Sequence, residues 1–197
     1  MKIKQQNINK SLLILLSLSF FVRAVLAMII EFGNDEVYYW TYAMYPDWSH
    51  FDHPPMVGWL IQLFSCNLLF DSEFFLRLSS VVFMTVNTYL IFLIGKQVKN
   101  EQTGFYAALL YTASIYAFVI TGIFILPDTP LSIFTLLAVL QFVKYFQYEK
   151  NKHLLLAGLF TGLAMLSKYS GVFVWVGVGL YVIIYARKEF KNPFLYL

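Results

Sequence analysis

The chain has 197 residues, of which 59% are hydrophobic and 13% charged, and its mean hydropathy is +0.66. Soluble domains run near about 45–50% apolar and roughly 25% charged, so a water-soluble globular enzyme is excluded and a polytopic membrane protein is expected. The net charge of +3 is weak evidence for nucleic acid, which is not expected as a partner, and the single cysteine, Cys66, excludes an internal disulfide and a multi-cysteine metal site.

Taken in chain order, the apolar runs predict the spans. A basic start with Lys2, Lys4 and Lys10 precedes residues 11–30, a run long enough to cross a bilayer. The same start resembles a signal peptide ending at "RAVLA". The apolar run continues through "MII", however, which favours a spanning helix. Arg23 lies ~12 Å inside this helix by its rise, and intramembrane charge usually faces protein or a wet cavity.

Residues 33–55, "GNDEVYYWTYAMYPDWSHFDHPP", crowd four acids and two histidines among aromatics. Tyr38, Tyr42 and Tyr45 recur at helical spacing, and with Trp40, Trp48 and Trp59 they read as an interfacial aromatic belt. Residues 56–69, "MVGWLIQLFSCNLL", are an apolar run of 14, shorter than the ~17 a spanning helix needs, and are placed in the interface. Further runs follow at 78–95, 104–124 and 130–145. The last, 153–186, is broken at "SKYSG", residues 167–171, and suits two short helices of a hairpin.

Eleven of the fourteen Lys and Arg residues fall in four clusters: Lys2, Lys4 and Lys10; Lys96 and Lys99; Lys144, Lys150 and Lys152; Arg187, Lys188 and Lys191. With an interior amino terminus, all four lie on the cytoplasmic face, as the positive-inside rule requires. Between Arg23 and Arg77 there is no Lys or Arg, whereas seven of the eleven acids are there. The expected fold is therefore all-α: a polytopic transmembrane bundle of about six spanning helices, forming one domain over 1–197 in the plasma (inner) membrane.

This topology gathers Asp35, Glu36, His50, Asp52 and His53, then Asp128 of "ILPDTPL", then Lys168 of "LSKYSG", on the outer face. Each residue also has a plainer reading. Asp35 and Glu36 suit a solvated loop, and being adjacent they point in different directions. Asp128 or Thr129 suits a helix cap ahead of Pro130. Lys168 can snorkel to the headgroups, although a lone base on the outer face invites a partner. His50, Asp52 and His53 have side chains that suit zinc, without the spacing of a helical HExxH site.

"GNDEVYYW", "FDHPPMVGWLIQLF", "SEFFLRLSSVVF", "LPDTPL" and "GLAMLSKYSG", in that order, resemble the amino-terminal half of the GT-C glycosyltransferases related to protein O-mannosyltransferases, ArnT and the RgtA/B/C/D-like enzymes. The resemblance implies transfer of a sugar from a polyprenyl-phosphate donor to a lipid, glycan or protein acceptor at the outer face, with inversion. It also implies catalytic roles for Asp35, the usual base, and Asp128, and substrate contacts for Glu36, Arg23, Asp52, His53, Arg77 and Lys168. "FDHPP" is similar to the "FEKPP" of ArnT-like members, with His53 where those have lysine. That leaves a divalent metal at His50, Asp52 and His53 an open question. Members of the family continue through further helices, whereas this chain stops at "KNPFLYL", so a truncated and inactive product is one alternative. A non-enzymatic transporter or scaffold module is another, against which stand the clustering of charge at one edge and the absence of a repeat.

Overall fold

The computed structural model describes residues 5–196, and Lys2 and Lys4 of the first basic cluster lie outside them. Among the described residues every regular element is helical. Helices α1 (Gln5–Ile29), α4 (Glu73–Val98) and α7 (Asp128–Tyr148) are each long and apolar enough to cross a membrane. They cover the apolar runs at 11–30, 78–95 and 130–145. Between α1 and α4 the chain forms two short helices, α2 (Asn34–Met44) and α3 (Met56–Phe64). With nine residues, α3 rises only ~13 Å, so residues 56–69 do not cross. Its end is a left-handed turn in which Cys66, Asn67 and Leu68 have φ of 52°, 58° and 63°. The Ser65 hydroxyl oxygen steadies that turn by accepting from the Leu68 N–H at 2.9 Å.

The run at 104–124 is not one straight helix. Helix α5 (Glu101–Ala113) is followed by a π-turn (Tyr116–Ile120) and the short α6 (Thr121–Ile123), and this second limb is bent from α5 by 74°. No proline marks the break. Kinks of this size arise at π-bulges or where a side chain enters the helix ladder, and both occur here: the Arg23 Nε–H donates to the Phe118 carbonyl at 3.3 Å. Counting the bent pair as one span gives four candidates. Helix α8 (Asn151–Ser167) and α9 (Phe173–Tyr185), joined by a 3₁₀ turn (Tyr169–Val172), are the two short helices predicted from 153–186, and both pack on α7.

Helix α4 is the centre of the bundle, packed against α1, α3, α5, α6 and α7. At one end of the bundle, Gln97 donates to the Tyr148 hydroxyl at 2.7 Å and Gln147 donates to the Gln97 carbonyl at 3.0 Å, which sets the α4–α5 and α7–α8 turns side by side. The chain returns to that end after α9, where Asn192 donates to Asn151 at 3.1 Å and Lys188 pairs with Glu149. Burial of Ile8 and Leu12 against Phe92 and Ala108 brings Lys10 to the same end. The basic clusters of the described chain therefore share one face. The opposite end carries α2, α3 and the segments before α7 and α9. Here α2 and α3 cross so closely that a Cβ on Gly58 would lie 2.8 Å from the Tyr42 backbone.

Candidate active site

The adjacent acids of "NDE" part company at the start of α2. Asp35 is exposed, whereas Glu36 is buried, with 2% of its surface accessible. Glu36 forms a bidentate pair with the fully buried Arg77 of α4: Nε donates to Oε1 at 2.8 Å and Nη2 to Oε2 at 2.6 Å. Arg77 also donates to the carbonyls of Ala27 at 3.1 Å, Glu31 at 3.0 Å and Ile30, the last groups of α1 and its exit, which have no partner within the helix. Phe32 covers the guanidinium at 4.8 Å. Glu36 in turn accepts from the Gly33 N–H at 3.1 Å, closing the start of α2, and from the Ile125 N–H at 3.0 Å. One ion pair thus ties together α1, α2, α4 and the segment leading to α7. The geometry makes Glu36 and Arg77 a clasp that positions its neighbours.

Asp128 follows Ile125 at the start of α7. Neither it nor Thr129 caps that helix: the Thr129 hydroxyl donates to the Thr121 carbonyl at 2.8 Å, and Asp128 receives the Lys168 ammonium at 3.0 and 2.9 Å on its two oxygens. Lys168 therefore has the partner that a lone base on this face calls for. Its side chain is 33% exposed and that of Asp128 23%, so the pair borders open space.

The loop between α2 and α3 is closed by tyrosines. Tyr38 donates to Asp52 at 2.8 Å and Tyr42 donates to the same oxygen, while the His50 ring stacks on Tyr42 at 3.6 Å. These bonds, that from Tyr42 foremost, hold the Asp52 carboxyl below the usual carboxylate range. His53 sits with Nε2 3.9 Å from Asp52 and its ring 5.7 Å from Tyr39. The Tyr39 phenol is pushed up to about 12, first by burial and then by the negative charges of Asp52, Asp35 and Asp128. Three acids from two distant segments thus act on one buried hydroxyl.

These two tyrosines of α2 differ from the belt expected of them. Tyr38 and Tyr42 bind Asp52, whereas Tyr45 is 74% exposed and Trp48, 81% exposed, meets the Trp59 ring edge-on at 5.4 Å. Their spacing of four with an acid ten residues on was the available signal. As a metal set, His50, Asp52 and His53 do not fit: one Asp52 oxygen is occupied by two hydroxyls and His50 lies flat on a ring. Among the described residues no group of three or more His, Cys, Asp or Glu side chains is placed to hold a metal ion. Arg23 stands apart from all these groups, fully buried between α1 and the π-turn.

A family profile described as dolichyl-phosphate-mannose-protein mannosyltransferase matches residues 52–197, a stretch containing Asp52, His53, Arg77, Asp128 and Lys168. Among curated proteins, the lipid A galacturonosyltransferase RgtD of Rhizobium johnstonii is 27% identical over 148 residues, which make up 75% of this chain and 31% of that protein. The chain thus matches less than a third of that relative's length. No solved structure shows a significant match. With its spanning helices and a profile match over most of its length, the chain belongs to the dolichyl-phosphate-mannose-protein mannosyltransferase family of GT-C membrane glycosyltransferases.

Proposed function

We propose that the protein moves a sugar from a polyprenyl-phosphate donor to a hydroxyl or amine of a lipid, glycan or protein acceptor, at the outer face of a plasma (inner) membrane and with inversion at the anomeric carbon. The observation that carries this reading is the placement of the Asp128–Lys168 pair beside an apolar groove. Helices α7 and α9 enclose a space of about 690 Å³ lined by Leu131, Val139 and Phe146 on one side and Phe173, Val178 and Tyr181 on the other, with Ser170 at the end near Lys168. A prenyl chain suits such a wall. Its phosphate would then lie at the ammonium.

The residues divide the chemistry between them. As the acceptor attacks the anomeric carbon, its proton passes to a carboxylate, and Asp35, an exposed acid without an ion-pair partner among the described residues and next in sequence to the Glu36 clasp, is the one we assign to that role. A base so placed is typically worth ~10²–10⁴-fold in rate. The bond from the anomeric carbon to the phosphate oxygen breaks, and the prenyl phosphate departs with added negative charge. Lys168 stabilises that charge: an ammonium has three N–H donors, and the two carboxylate oxygens of Asp128 leave one of them for the phosphate. His53, when protonated, adds a second cation from the "FDHPP" loop. Basic residues gathered at the opposite end of the bundle support a cytoplasmic amino terminus.

The test is photo-crosslinking with a diazirine-bearing polyprenyl phosphate in membranes containing the protein. Labelled peptides should come from α7 and α9, and unlabelled polyprenyl phosphate should compete them away. Labelling confined to other helices, or indifferent to the competitor, would remove the donor from this groove.

A further inference from the structure

A second polar cluster lies inside the bundle and is used by none of the groups above. Arg23 is fully buried, its guanidinium lies over the Phe118 ring at 4.7 Å, and apart from the bond of Nε to the Phe118 carbonyl its two terminal nitrogens have no protein partner. Among the described residues no carboxylate pairs with it. Asn87 of α4, equally buried, donates from Nδ2 to the Ser132 hydroxyl oxygen at 2.8 Å and to the Met84 sulfur at 3.1 Å, while its Oδ1 is unpartnered. Turning the amide over exchanges the two atoms and still strands one of them.

These orphaned groups belong to one neighbourhood. The hydroxyls of Ser132, Thr121 and Tyr111 also lie 3.6, 3.8 and 3.9 Å from the Met84 sulfur; Ser132 and Thr121 donate their protons to the carbonyls of Thr129 at 2.8 Å and Tyr116 at 3.1 Å, which leaves their oxygens as acceptors. Arg23 packs on Gly122, the residue after Thr121, so closely that a Cβ there would meet its Nε at 2.9 Å. A buried guanidinium with neither counter-ion nor solvent is strongly disfavoured, and buried polar atoms without protein partners are the usual seats of ordered water. The donor and acceptor character of the set selects the ligand. An anion would satisfy Arg23 and repel the Asn87 oxygen, whereas water accepts from the first and donates to the second.

We infer that Arg23 and Asn87, with Tyr111, Thr121 and Ser132, form an interior water-binding site in the membrane-spanning bundle, occupied by one or more ordered waters. The site lies under the π-turn, so the hydrated guanidinium holds the bend that leads into Ile125 and Asp128.

Hydroxyl-radical footprinting tests this on the whole protein in detergent or lipid discs, because a short X-ray pulse makes radicals from bound water as well as from bulk water. Met84, 1% exposed, should be oxidised rapidly by the pulse yet slowly by chloramine-T, a bulky aqueous oxidant that cannot enter. Arg23→Met and Asn87→Leu should each lower the radical labelling of Met84 several-fold; should Arg23→Met fail to fold, Asn87→Leu decides alone. Met84 silent to the pulse, equally reactive to both oxidants, or labelled unchanged in the folded variants would each overturn the site.

Discussion

Glu36→Gln removes one charge from the clasp while keeping the size of the side chain and most of its hydrogen-bonding atoms. In the native protein Arg77 is fully buried and Glu36 neutralises it through bonds of 2.8 and 2.6 Å. Breaking a buried ion pair by removing one partner costs about 3–5 kcal/mol where the other charge is left uncompensated; here Glu73 Oε2, 3.6 Å from Arg77 Nη1, offsets part of that charge and makes this figure an upper bound. A chain of this size loses roughly 2–4 °C of melting temperature per kcal/mol. The expected fall in detergent, followed by tryptophan fluorescence, therefore has roughly 6–20 °C as its ceiling. The neighbouring Asp35→Asn, on an exposed side chain, should stay within ~0.5 kcal/mol of the parent. Combining Glu36→Gln with Arg77→Met should cost less than the sum of the two, since the pair acts as a unit. A Glu36→Gln protein melting within two or so degrees of the parent, or equal shifts at Asp35 and Glu36, would refute the clasp.

Three further expectations follow from the same geometry. Lys168→Ala should raise the KM for the polyprenyl-phosphate donor more than that for the acceptor, by the ~1.5–3 kcal/mol of a charged hydrogen bond; equal effects on both substrates would return Lys168 to a headgroup anchor. Because Asp52 titrates below its ordinary value in the folded loop, the stability it contributes is complete above the unfolded value near ~3.9 and is lost as pH falls through the folded one. Resistance of the "SHFDH" loop to an acid-active protease such as pepsin should accordingly drop on acidification, and Tyr42→Phe should bring that drop to higher pH. After Cys66→Ser, single cysteines at Ser49 and Tyr169 should react with an impermeant reagent from outside and those at Asn100 and Asn151 should not; the reverse pattern would invert the bundle.

Apolar run length made α1, α4 and α7 legible, because a bilayer constrains helix length directly, and basic clustering made the shared end of their turns legible. The 74° break after α5 was not, for it involves no proline and depends on Arg23 reaching the Phe118 carbonyl, a contact spanning 95 positions. Adjacency alone told that Asp35 and Glu36 diverge. Which one faces inward depends on Arg77, which stands 41 residues further on. Tyr38 and Tyr42 read as part of an interfacial belt because an aromatic ring with a hydroxyl suits an interface and an internal acid equally well; only the return of the loop brings Asp52 to them.

The proposed role of Asp35 as proton acceptor in sugar transfer is tested most directly by one comparison. Membranes containing the parent protein or Asp35→Asn, at matched expression and melting temperature, are supplied with a radiolabelled polyprenyl-phosphate sugar and an acceptor, and transferred label is counted. Loss of a positioned base predicts a rate lower by ~10²–10⁴-fold with stability unchanged. Transfer by Asp35→Asn at close to the parent rate would contradict the assignment at its centre.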